Sequence, residues 1–145
     1  MNILSIIIIL FVVLESLNVI MLYFFPNSNK GNGLGVFNAY KKSKADPEVH
    51  ALINYLISWV AGTKLIFIAL LIVVIIFGDK TTQLFSVIAL ILSILTFFVR
   101  LYPMIRKMDK NNQLTPKGYS KTLGIMIALF EILFLIAILI YFIAK

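Results

Sequence analysis

Residues 51–77 form an unbroken apolar run whose only charged side chain is Lys64. About 20 apolar residues suffice to carry a helix across a bilayer. Such a segment must satisfy its own backbone hydrogen bonds, because hydrocarbon offers no partners, and a helix does this within the segment. A cation near its middle is costly there and needs a partner or a purpose. The rest of the chain is therefore read for what answers Lys64.

Three more apolar runs of similar length accompany it, so that spans are expected at about 3–25, 48–77, 81–102 and 121–144. The chain is 61% hydrophobic, well above the roughly half typical of soluble domains. These features predict an all-α polytopic membrane protein of one domain, residues 1–145, built as a four-transmembrane-helix up-down-up-down bundle with loops at 26–47 and 103–120. The first run has no basic leader and no small-residue cleavage site, which reads as a retained span.

Composition removes several chemistries. There is no cysteine, so disulfides, thiol catalysis and cysteine metal sites are excluded. His50 is the one histidine, which leaves no histidine-rich metal site and no bis-histidine haem within one chain. No cofactor or metal is expected. The net charge of +7 is read as topology and attraction to anionic lipid, since no soluble basic module remains for nucleic acid.

Local signals set the boundaries. Pro26 ends the first span. Asn27 to Gly35 is turn-rich, and its glycines lack the spacing of a phosphate loop. Leu34, Val36, Phe37 and Tyr40 precede Lys41, Lys42 and Lys44, a segment expected to lie in the headgroup region. Asp46-Pro47-Glu48 starts the second span, with Asp46 as cap. Pro103 marks the end of the third span or a kink in it. Asp109, Asn111 and Asn112 resemble a calcium loop only superficially, because its glycine and terminal glutamate are missing. Ser120 is the expected cap of the fourth span.

The two long loops, with Lys121 at the start of the fourth span, carry nine of the chain's basic residues, whereas the opposite side has only Lys80 and Lys145. The positive-inside rule then places the loops in the cytoplasm and both termini outside, in a cell membrane. Lys41, Lys42, Lys44, Arg106, Lys107 and Lys110 are the expected contacts for anionic headgroups.

Four ionisable residues remain inside the spans, Glu15, Lys64, Arg100 and Glu131, two acids and two bases. Each sits on or beside a stripe of polar and small residues at helical spacing. Glu15 shares a face with Asn18. Asn54, Ser58, Ala61 and Gly62 run beside Lys64. Ser86, Ala89, Ser93 and Thr96 lead to Arg100, and Ser120, Gly124 and Ala128 lead to Glu131. Small residues allow close helix approach and polar ones bond across it. The four stripes are therefore expected to face one another, with Lys64 paired to Glu15, Glu131 or both.

Such a network supports two functions. As the lining of a polar cavity it makes a channel- or transporter-like protein for an ion, a proton or a small polar solute. As a neutral lock it fixes helix packing or partner choice in a non-catalytic accessory or scaffold subunit, within a homo-oligomer or a larger membrane complex. Catalysis has little to stand on. No G-x-S-x-G, H-E-x-x-H or serine–histidine spacing occurs, and no catalytic residue is assigned.

Overall fold

The computed structural model describes residues 2–30 and 33–144; Gly31 and Asn32 of the turn-rich loop, and Lys145, fall outside them. Five helices follow in order: α1 (Ile3–Phe24), the short α2 (Asn38–Ser43), α3 (Pro47–Phe77), α4 (Lys80–Lys110) and α5 (Tyr119–Ile143). The four long ones are apolar enough to cross a membrane, and the architecture is the expected all-α four-helix bundle. At 1.5 Å per residue, α3 and α4 are each about 46 Å long, more than the roughly 30 Å of hydrocarbon.

Side-chain pairs fix the directions. Asn2 of α1 bonds Gln83 at the start of α4, so these two helices run together. Phe11 lies against Phe67 and Glu15 against Lys64, so α3 runs opposite to α1. Asp109 meets Ser120, which turns α5 back along α4. Both termini and the Gly78–Asp79 turn share one end of the bundle, and the two long connections share the other.

Each long helix begins where its orphan N–H groups find acceptors. Asn2 Oδ1 accepts from Ser5 N at 2.8 Å. Asp46 accepts from the N–H groups of Glu48 and Val49 at 3.1 Å, with Pro47 at the first helical position. Asp79 accepts from Thr82 Oγ1 at 2.6 Å and Thr82 N at 2.7 Å. These bonds, the hydroxyl's first, hold the Asp79 carboxyl below the usual carboxylate range. This cap is therefore at full strength above the ordinary carboxyl pKa and weakens as pH falls through the lowered value.

Two expectations are corrected at the loop end. Ser120 does not cap α5. Gly118, in the left-handed region at φ 86°, occupies the cap position. The acceptor comes from the end of α4: Asp109 receives Gly118 N at 2.9 Å, Ser120 N at 3.0 Å and Ser120 Oγ at 2.6 Å. Residues 103–110 are not loop either, since α4 continues through Pro103 to Lys110. Proline forfeits one helical hydrogen bond. Beyond it, however, Ile105 and Asp109 are buried, and Asp109 ties α4 to α5, which offsets the loss.

The two connections bind each other. Phe37 pairs with Leu114 in an isolated bridge, Asn38 N donates to Gln113 O at 3.0 Å, and Thr115 N donates to Val36 O at 2.8 Å. Gly35 permits the fold-back, because a Cβ there would sit 2.1 Å from Asn27 O. Val36, Tyr40 and Leu114 are buried against protein, while Lys41, Lys42 and Lys44 are exposed. Burial raises the Tyr40 phenol above its usual pKa, and its hydroxyl donates to Asn54 Oδ1 at 3.3 Å.

α1 is the hub. It packs along α3 on one side and against α4 and α5 on the other, whereas α3 and α4 make little contact. One apolar cluster near the terminal end joins Leu4, Ile8, Phe11, Leu71, Val87 and Phe134. A second, nearer the loops, joins Val19, Leu22, Tyr40, Ile57, Ala61 and Ile68. At the terminal end a buried glutamine, Gln83, receives Asn2 Nδ2 and Ser5 Oγ, both at 2.9 Å, and donates to Gly78 O at 3.2 Å.

Asp109→Ala strips the first amides of α5 of their acceptor. Leaving buried donors unpaired costs about 1–3 kcal/mol. Unfolding in detergent micelles should show a loss of that size, and amide exchange at Ser120 should accelerate.

Candidate functional site

Between the two apolar clusters α1 presents Glu15. The buried face of α1 steps through Leu4, Ile8, Phe11 and Leu22 at helical spacing, and Glu15 falls in that row. On α3 the matching row is Ile57, Ala61, Ile68 and Leu71, with Lys64 at the step between Ala61 and Ile68. Two antiparallel rows thus bring one acid and one base to the same level. Lys64 Nζ lies 2.5 Å from Glu15 Oε2, with the side chains 27% and 22% exposed. It is the one ion pair among the described residues.

Lys64 sits in the seam between α1 and α3, beside Ala61 of the small polar strip. Ser58 of that strip is exposed, and Asn54 is taken by Tyr40. The apolar residues three and four positions away on either side of Lys64 were the signal for the seam.

Glu131 is placed differently. It is 6% exposed, and neither carboxyl oxygen has a hydrogen-bond partner. It shares a buried row with Ser120 and Gly124. Gly124 lets the helices close up, since a Cβ there would lie 2.6 Å from Tyr102 Cε2 on α4. Along the bundle axis, Phe11 faces Phe130 and Phe134 at centroid distances of 6.1 and 5.7 Å. Glu131 is thus level with Phe11 and about one turn, ~6 Å along the axis, from the level of Glu15.

Arg100 does not join these groups. The buried face of α4 is Gln83, Val87, Leu90, Ile91 and Ile105. Ser93, Thr96 and Arg100 are exposed on its outer side. Thr96 Oγ1 instead donates back to its own helix, to Ser93 O at 2.6 Å, as Ser86 Oγ does to Thr82 O at 2.8 Å. Of the four charges expected to face one another, the structure joins Glu15 and Lys64, buries Glu131 apart from them, and leaves Arg100 outside. Helical spacing shows that residues share a face; it does not show which face the bundle buries.

A crevice of about 320 Å³ opens between α1 and α5, with Ile94 of α4 at its back. Its wall is apolar except for Glu15 and Asn18. Asn18 Oδ1 is buried and accepts no hydrogen bond. The rim residues Leu17 and Met126 are each 54% exposed, so the crevice opens sideways from the bundle.

Four long apolar helices around an internal ion pair define a small multi-pass membrane protein. Comparison with protein-family models, with curated proteins and with solved structures finds no match. Function is accordingly read from the geometry.

Lys64→Met leaves Glu15 facing hydrocarbon. The expected loss is about 2–3 kcal/mol, somewhat below the ~3–5 kcal/mol for breaking a fully buried pair. Glu15→Gln added to Lys64→Met should recover much of it. A double-variant cycle by thermal unfolding in detergent measures the coupling, and strict additivity would show that the two do not act as a pair.

Proposed function

We propose that the protein is a small transporter-like membrane protein that carries protons, with Glu131 as the carrying group and the Glu15–Lys64 pair as its neighbour. The observation behind this is the Glu131 carboxyl, buried among apolar side chains with both oxygens unpartnered. A carboxylate so placed lacks the donors that make a buried charge tolerable. It needs a proton, a cation or a rearranged donor. A group with that need, in a span, is suited to bind and release a proton as access changes.

Two features support the reading. Lys64 carries its ammonium on a flexible stem, and its level along the axis differs from that of Glu131 by about one turn. Asn18 Oδ1 is a further acceptor without a donor in the same stretch of α1. With the basic loops in the cytoplasm, as the charge asymmetry expects, protons would pass between the terminal side and the loop side.

The test is proton flux into proteoliposomes that trap a pH-sensitive dye, driven by a potassium gradient with valinomycin. Wild-type protein should acidify the lumen faster than empty liposomes. Glu131→Gln should fall to the empty rate, at least tenfold slower, while keeping its melting temperature. Wild-type flux no faster than empty liposomes, or unchanged flux in Glu131→Gln, overturns the proposal.

One observation favours a second reading, the accessory or scaffold subunit. The outer face of α4 presents Ser93, Thr96 and Arg100 away from the bundle, where another span could answer the arginine. On that reading wild-type protein carries no proton, and Arg100→Leu alters the size of the complex extracted in mild detergent.

A further inference from the structure

The side-opening crevice does not end at the headgroup level. A second cavity of about 330 Å³ lies at the loop end, and it shares two wall residues with the first, Leu123 and Met126. The upper cavity brings two lysines and Thr122 to a wall that is otherwise mainly apolar, where the lower has no cation. Lys30 enters from the first connection, Lys117 from the second, and Tyr119 and Thr122 from the first turn of α5. Both lysines are exposed. Asp109 is bound to three donors of Gly118 and Ser120 at the α4–α5 junction and also attracts Lys117, so a bound head shares that lysine with it.

The depths suit one kind of molecule. Tyr119 begins α5, and Leu123 and Met126 are about 6 and 10 Å further along the axis. Beyond them the lower crevice runs beside α1 from Met21 to Phe11, about 15 Å of helix. A charged upper chamber at the helix start, continuous with an apolar trench that deepens into the span, matches a headgroup joined to a chain. The two lysines select an anionic head. The exposed rim at Leu17 and Met126 lets the chain enter sideways from the hydrocarbon.

We infer that the α1–α5 crevice holds one anionic membrane lipid, its headgroup between Lys30 and Lys117 and one acyl chain along Leu123, Met126 and Leu17. The site lies beside the proposed proton path but does not depend on it. The lipid is part of the working surface of the bundle, closing the gap that α1 and α5 leave between them. It differs from diffuse attraction to the basic loops, because Lys41 and Lys42 on α2 line neither cavity.

Native mass spectrometry of the purified protein, titrated in detergent with phosphatidylglycerol or with phosphatidylcholine of the same chains, tests this. One phosphatidylglycerol should be retained per chain, at least tenfold more tightly than phosphatidylcholine. Lys30→Gln with Lys117→Gln should weaken it roughly thirtyfold, the weight of two lysines facing an anionic head. Lys41→Gln with Lys42→Gln should change it less than threefold. Met126→Trp, which fills the trench, should reduce retention of phosphatidylglycerol with both lysines intact. Equal retention of the two lipids overturns the inference, as does an equal loss in both lysine pairs, which would mean surface charge alone. Unchanged retention in Met126→Trp also overturns it. Proton flux is not read in this experiment, so either proposal can fail without the other.

Discussion

Lys64 can remain in the middle of an apolar helix because Glu15 meets it across the α1–α3 seam. Much of the arrangement follows from that contact. It sets the register of two antiparallel helices, places Ala61 and Ile68 against α1, and divides the interior into a cluster near the termini and a cluster near the loops. In hydrocarbon, apolar side chains gain little by exchanging lipid for protein, so packing and polar contacts select neighbours. An ion pair is the strongest selector on these two helices. That is consistent with α3 relying on α1 and making little contact with α4, although a tight turn joins the two.

The other half of the bundle is held by different means. α4 and α5 are fastened at the loop end by one carboxylate, Asp109, which serves the first amides of the following helix. They approach closely along Gly124 and Tyr102. At the terminal end Gln83 joins the start of α4 to the start of α1. The bundle thus has polar fastenings at both ends and one ion pair in the middle. Glu131 stands out because it belongs to none of them. Every other buried ionisable or amide group described in these fastenings has its partners, whereas Glu131 has apolar neighbours and two unanswered oxygens. That contrast is why Glu131, and not the paired Glu15, is the proton carrier we propose.

Much of the architecture was legible in the residues. Apolar runs of sufficient length admit helices and little else in a bilayer, so the number of long helices and several of their ends followed from Pro26, Phe77 and the cap at Asp46. The site was legible only in part. The four intramembrane charges stand out in any reading, yet their faces do not. In a soluble helix the polar stripe points to water and the apolar one inward. In lipid both faces are largely apolar, so the stripe of Ser93, Thr96 and Arg100 could be assigned to either side, and it lies outside. Lys64 is the converse case. The row Ile57, Ala61, Ile68 and Leu71 places it in the seam, but the row resembles the rest of an apolar helix until a partner surface is known. Gln83 and Asp109 carried no signal at all, because their partners lie on other helices or across a loop.

The sequence by itself determined that the chain spans a membrane with four helices, since a backbone in hydrocarbon must bond within its own segment and each run is long enough to cross. It also determined the crowding of basic residues at one end. Only the tertiary structure decided that Lys64 belongs to Glu15, that Glu131 is left without a hydrogen-bond partner, that Arg100 faces outward, and that a crevice opens between α1 and α5. Those outcomes depend on the rotation of each helix about its axis. Rotation is set by a few long-range contacts, which are a property of the assembled bundle and of no single segment.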